Sequence, residues 1–173
     1  MGQGAGGAFL LSDDYTVTGN WKMQGTAGLN AIQPVISGSG ATRTLLASES
    51  GSLCLFDRAA GIVYTLPKPQ VGLYFDFAVT TTITSNAAEV DTDAATTFIL
   101  GAVMVAIADT TPGATAGPKL EAANGTSTVK VSSNGTTTGG IKGQQYRLTC
   151  VSGTVWQITG LIYGSGTIAT PFA

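Results

Sequence analysis

The chain has 173 residues, of which 43% are hydrophobic and only 10% charged, with a formal net charge of −2 and no histidine. That length suits one domain with a sizeable core, and the hydrophobic content excludes intrinsic disorder. The eight Lys and Arg are scattered singly and leave no basic stripe for a phosphate backbone, so no nucleic-acid partner is expected; the lack of His removes the commonest general base and metal ligand.

Residues 1–46 read as an extended arm. Two Gly-rich tracts, Gly2–Gly7 and Gly38–Gly40, flank isolated apolar anchors that show no sustained helical spacing. Phe9, Leu10, Leu11 and Trp21 are the expected contacts to another surface, with short strands expected at Tyr15–Val17 and Trp21–Met23. The start carries no positive region, and Ala8–Leu11 is too short for a signal-peptide core, so synthesis and folding in a cytoplasm are expected.

Residues 47–173 read as a β-domain. Ile62–Leu66 forms a short strand that Pro67 and Pro69 end, since proline cannot donate to a ladder. In Leu73–Thr80 the odd positions Leu73, Phe75, Phe77 and Val79 are large and apolar, with Asp76 and Thr80 on the other face, as in a half-buried strand. Glu89, Asp91 and Asp93 could hold Ca²⁺ with oxygen ligands, but a solvated loop explains them as well and is the reading taken. Thr97–Ile107 is expected to be a central strand with a bulge or kink at Gly101. The longest apolar run, Phe98–Ala108, is about half of what a membrane-crossing helix needs, so no membrane partner is expected.

Thr128–Val131 alternates between Asn124-Gly125 and Asn134-Gly135, which predicts hairpin turns at both dipeptides. Tyr146, Leu148 and Cys150 share one face of the next strand, opposite Gln145, Arg147 and Thr149. After a turn at Ser152-Gly153 the chain returns along Val155–Tyr163 with Trp156, Ile158 and Ile162 on one side. Tyr146, Trp156 and Phe172 are expected in core or trimer packing. Seven or eight short strands at about ten-residue spacing predict an all-β fold, a β-sandwich or barrel. Cys54 and Cys150 sit among apolar residues, which favours two buried thiols over a single bridge.

No nucleophile with a base, metal cluster or phosphate loop emerges, so neither an enzyme nor a cofactor is expected. The segment from Leu55 to Pro67 (LFDRAAGIVYTLP), the Gly72–Phe77 strand, Thr84-Ser85-Asn86, the Gln145–Leu148 strand, the Trp156 strand and the Pro171-Phe172 end resemble small virion proteins of tailed bacteriophages, the capsid decoration or cement proteins. The resemblance covers roughly residues 50–173. It implies a jelly-roll-like β-sandwich, a homotrimer on the outside of an icosahedral head, made in the host bacterial cytoplasm and stabilising contacts between major capsid proteins through its base and its N-terminal arm. Asp57 and Arg58 would be a polar clamp or an ordinary surface ion pair. Two other readings stand beside it. A receptor- or carbohydrate-binding module of a phage fibre would expose aromatics among Tyr74, Tyr146, Tyr163 and Trp156, Tyr74 first. A pilin-like adhesin subunit would share the low charge and two cysteines.

Overall fold

The computed structural model describes residues 32–38, 40–107 and 117–173. The expected strands at Tyr15–Val17 and Trp21–Met23 and the anchors Phe9, Leu10, Leu11 and Trp21 lie outside them. Ile32–Ala173 is one compact unit, built among the described residues from eleven strands and a single 3₁₀ turn at Ala47–Glu49. The strands are β1 (Val35–Ile36), β2 (Thr42–Thr44), β3 (Leu53–Phe56), β4 (Val63–Thr65), β5 (Tyr74–Val79) and β6 (Ala88–Asp91). They continue as β7 (Phe98–Ile107), β8 (Lys119–Asn124), β9 (Lys130–Ser133), β10 (Gln145–Ser152) and β11 (Val155–Gly164).

Two sheets hold them: seven strands in the order β1-β3-β5-β10-β11-β7-β8 and four in the order β2-β4-β6-β9. From β1 to β6 the chain lays each successive strand in the other sheet, so it winds as a coil. Strands of this coil that meet within a sheet are therefore parallel, β1 with β3 and β3 with β5, β2 with β4 and β4 with β6. β11 also runs parallel to β7. These parallel ladders depart from the antiparallel Greek keys of a jelly roll. Strand alternation predicts which side chains are buried but carries no information on strand direction, which is why the connectivity was not readable in the residues.

The boundary expected at residue 46 falls inside this unit. Ile36 and Leu45 are in the core, and β1 and β2 are the first members of the two sheets. Short strands of two and three residues give no period-2 signal, which hid them among glycines. Glu89 and Asp91, read as part of a solvated loop, lie on β6, because Ala88 and Val90 alternate with them into the core.

The core forms where the inner faces of the two sheets meet. Phe56 of β3 lies edge-on to Tyr64 of β4 at 5.3 Å between ring centroids, and Phe77 of β5 stands 5.9 Å from the same Tyr64. The Tyr64 hydroxyl donates to the Leu55 carbonyl at 2.8 Å, a tie between sheets that satisfies the polar end of a buried ring. Phe75, Phe77 and Val79 are buried and Leu73 packs beside them, as the odd positions of that strand predict. Tyr146 and Trp156 fill the same core: Tyr146 stacks on Phe77 at 5.3 Å, and Trp156, fully buried, tilts against Phe75 at 6.2 Å. Phe172 is half-buried and bridges to Val131.

Two turn expectations are corrected. Neither Asn-Gly dipeptide makes a two-residue hairpin, because each carries the chain from one sheet to the other: β8 pairs with β7, and β9 with β6. The Asn124 Oδ1 accepts from the backbone N–H of Thr126, Ser127 and Thr128, and the Asn134 Oδ1 from Thr136 and Thr138, so the asparagines organise corners through side-chain hydrogen bonds. The β10–β11 hairpin does form where Ser152-Gly153 predicts it, with a register irregularity at Cys150–Ser152. Gly101 is no bulge, since β7 pairs with β11 unbroken from Phe98 to Ile107. It has φ +123°, and a Cβ there would strike the Ile158 carbonyl oxygen; its role is close backbone approach.

Both cysteines are unpaired thiols and buried. Cys54 shares a cross-sheet row with Phe77 and Tyr146, whereas Cys150 lies four residues further along β10. Two strand spacings and four residues of rise separate them by well over the ~7 Å between Cα atoms that a disulfide tolerates.

Candidate functional site

The outward side of the seven-stranded sheet is the broadest feature that could meet a partner, and the strand registers lay it out as rows. One row runs Leu53, Asp76, Arg147, Thr159, Ala102, Ala122. The next runs Leu55, Ala78, Gln145, Leu161, Met104, Leu120, and a third Tyr74, Thr149, Gln157, Leu100, Asn124. The face is therefore graded. Its β5–β10 half is polar, and its β7–β8 half, at a sheet edge, is apolar.

In the apolar half Leu120 is 67% exposed, Leu100 44% and Met104 43%. Leu161, Met104 and Leu120 are neighbours across three strands, with Ala102 and Ala122 beside them. Isolated exposed apolar side chains need no explanation, whereas a contiguous apolar strip at a sheet edge is the kind of surface on which protein contacts form.

In the polar half, Arg147 of β10 meets Asp76 of β5 in a bidentate pair, Nε to Oδ1 at 2.7 Å and Nη2 to Oδ2 at 2.8 Å. The Gln33 amide donates to Asp76 Oδ2 at 2.7 Å and to the Gly51 carbonyl at 3.0 Å. The Arg147 guanidinium lies 4.7 Å from the Tyr74 ring centroid, a cation–π contact. Hydrogen bonding from Arg147 is the main cause that holds the Asp76 carboxyl below its ordinary range, with Gln33 adding to it against the opposing effect of burial. Beside the pair is a depression of about 640 Å³ between Leu53, Gln33, Asp76, Arg147, Gln145 and Leu161, with Gly160 also in its lining.

A second polar cluster lies on the four-stranded sheet. Lys130 Nζ stands 2.9 Å from Glu89 Oε2 and 3.6 Å from Asp91 Oδ1, and the Ser132 hydroxyl donates to Glu89 Oε1 at 2.9 Å. A lysine and a hydroxyl thus serve Glu89 and Asp91, two of the three acids in which Ca²⁺ ligation was considered, and among the described residues no cluster of three or more metal-ligating side chains occurs. Asp57 and Arg58 form no ion pair with each other among the described residues. Asp57 instead accepts from the Gly38 backbone N–H at 3.1 Å, tying the β3–β4 connection to the β1–β2 connection.

Of the residues singled out in the sequence, Tyr146, Trp156 and Phe172 pack within one chain, so the outward aromatics reduce to Tyr74, 37% exposed, and the partly buried Tyr163. Asp76 and Arg147 were missed as a pair because 71 positions separate them. The available signal was that each is the lone charged residue on the polar face of its strand. No protein-family model, curated protein or solved structure matches this chain.

Proposed function

We propose that the protein is a structural, non-catalytic component of a virion: a β-sandwich subunit that binds the outer surface of an icosahedral phage head as a homotrimer and stabilises contacts between major capsid proteins. The observation that carries this reading is the apolar strip Leu161–Met104–Leu120 with Leu100 beside it, at a sheet edge of a chain with 10% charged residues. A freely diffusing domain is better served by a charged surface; a subunit covered by copies of itself and by a shell is not exposed to that demand. The likeness of Leu55–Pro67 and the later strands to capsid decoration proteins points the same way. Modest contacts repeated over a symmetric shell gain by avidity.

The test is to mix the purified protein with capsids that lack it. Decoration, with raised resistance of the shell to heat, is expected, and light scattering should give a trimer. The Leu120→Asp/Met104→Asp double variant should stay folded and lose decoration, and removal of Met1–Leu11 should weaken it. A stable monomer that leaves capsids bare would overturn the reading.

A further inference from the structure

The polar half of the outer face has a chemistry that shell attachment does not use. We propose that the depression between β3, β5, β10 and β11 is a binding site for a neutral saccharide. Its charge excludes the alternatives first. Arg147 is neutralised by two short contacts to Asp76, so an anion would have to compete with a carboxylate already in place, and a cation would meet an Asp already paired.

What remains is a set of uncharged hydrogen-bonding groups. Among the described residues Arg147 Nη1, Gln33 Oε1, the Gln145 amide and the Thr159 hydroxyl have no partner, and all four residues line the depression. The set holds both donors and acceptors, which suits hydroxyls, since each hydroxyl both gives and receives. Leu53 and Leu161 supply apolar walls for the C–H faces of a sugar ring. The volume, about 640 Å³, lies in the range of small-ligand sites.

Two of the four groups are also fixed in place. Arg147 is held from one side by Asp76 and from the other by the Tyr74 ring, and Gln33 is anchored at both Asp76 and Gly51. Tyr74 does not line the depression; it is a positioning residue that keeps the guanidinium plane aligned. Side chains already anchored by hydrogen bonds lose little freedom on binding, which offsets the weakness of a shallow site.

The isolated protein suffices for the test, which keeps it separate from capsid binding. Amide chemical shifts would be followed by NMR during titration with a panel of neutral gluco-, galacto- and N-acetylhexosamine oligosaccharides in both linkage senses, with inorganic phosphate and citrate as anionic probes. At least one neutral oligosaccharide should shift Gln145, Arg147, Thr159 and Leu161 with a dissociation constant on the order of 1 mM, and the anions should shift none of them. Gln145→Ala and Thr159→Val, both exposed and compatible with strands, should each weaken binding several-fold. Arg147→Lys should weaken it about tenfold by losing the planar fork, and Tyr74→Leu should weaken it less while broadening the Arg147 side-chain signals. Silence across the panel, equal shifts from phosphate, shifts confined to the Leu120–Met104 strip, or unchanged affinity in the Gln145 and Thr159 variants would each overturn the proposal.

Discussion

Replacing Gly101 with Ala tests the close approach of β7 and β11 directly. Two costs are expected. Holding a non-glycine residue at φ +123° costs about 1–3 kcal/mol. Fitting the new Cβ against the Ile158 carbonyl oxygen, a backbone atom inside a ten-residue parallel ladder that cannot swing aside, adds about 1–3 kcal/mol. Gly72 is the internal control. Its φ is +96°, but a Cβ there meets nothing within 4 Å, so Gly72→Ala carries only the backbone cost. The gain from a stiffer unfolded chain is common to both substitutions and cancels in the comparison. Urea titrations with equal m-values should therefore place Gly101→Ala about 1–3 kcal/mol below Gly72→Ala, or roughly 3–9 °C lower in Tm for a domain of this size. Equal destabilisation of the two variants, within about 0.5 kcal/mol, would refute the close-approach argument and leave only conformation.

Trp156→Ala should cost about 3–5 kcal/mol in the same titration, because a fully buried side chain is removed from beneath Phe75. Asp76 titrates below its ordinary value of 3.8 in the folded protein, so its contribution is complete above that value and is lost as the pH falls through the depressed one. With Arg147 half exposed the contribution is about 1 kcal/mol, and Asp76→Asn should flatten the acid limb of a stability–pH profile by that amount. Burial pushes the Cys54 thiol from 9.0 up to about 12. The unfolded chain ionises first, so stability should decline from about pH 9 toward pH 12, less steeply in Cys54→Ala. Native protein at pH 8 should resist thiol reagents at Cys54 and react on denaturation; rapid native labelling there would contradict the burial.

The residues disclosed the faces of the strands better than their partners. Leu73–Thr80, Gln145–Cys150 and Val155–Tyr163 each alternate over six or more positions, and in each the apolar set is the buried set. β1 and β2 have two and three residues, too few for a period to declare itself. Parallel pairing was hidden for a different reason. A connection through a strand of the opposite sheet looks locally like the start of a hairpin, and Asn124-Gly125 and Asn134-Gly135 reinforced that impression while serving as corners. The polar site was half legible: Tyr74 stood out as the aromatic opposite an apolar face, but its ring supports Arg147 and does not line the depression. Gln33 gave no signal, since an amide in a glycine-flanked, irregular stretch has no pattern to break.

The winding of β1 to β6 bears on how such a chain can change length. Cross-strand partners in the first sheet fall at 35, 53 and 76, and in the second at 42, 63 and 89. One full turn thus consumes roughly twenty residues and returns the chain to the same face one strand over. Inserting or removing a single residue within a strand would transpose its inward and outward side chains. Inserting or removing a whole turn would widen or narrow both sheets together and leave every remaining row aligned. The molecule's natural unit of growth is then the complete turn, and its width can change while the depth of its core stays the same.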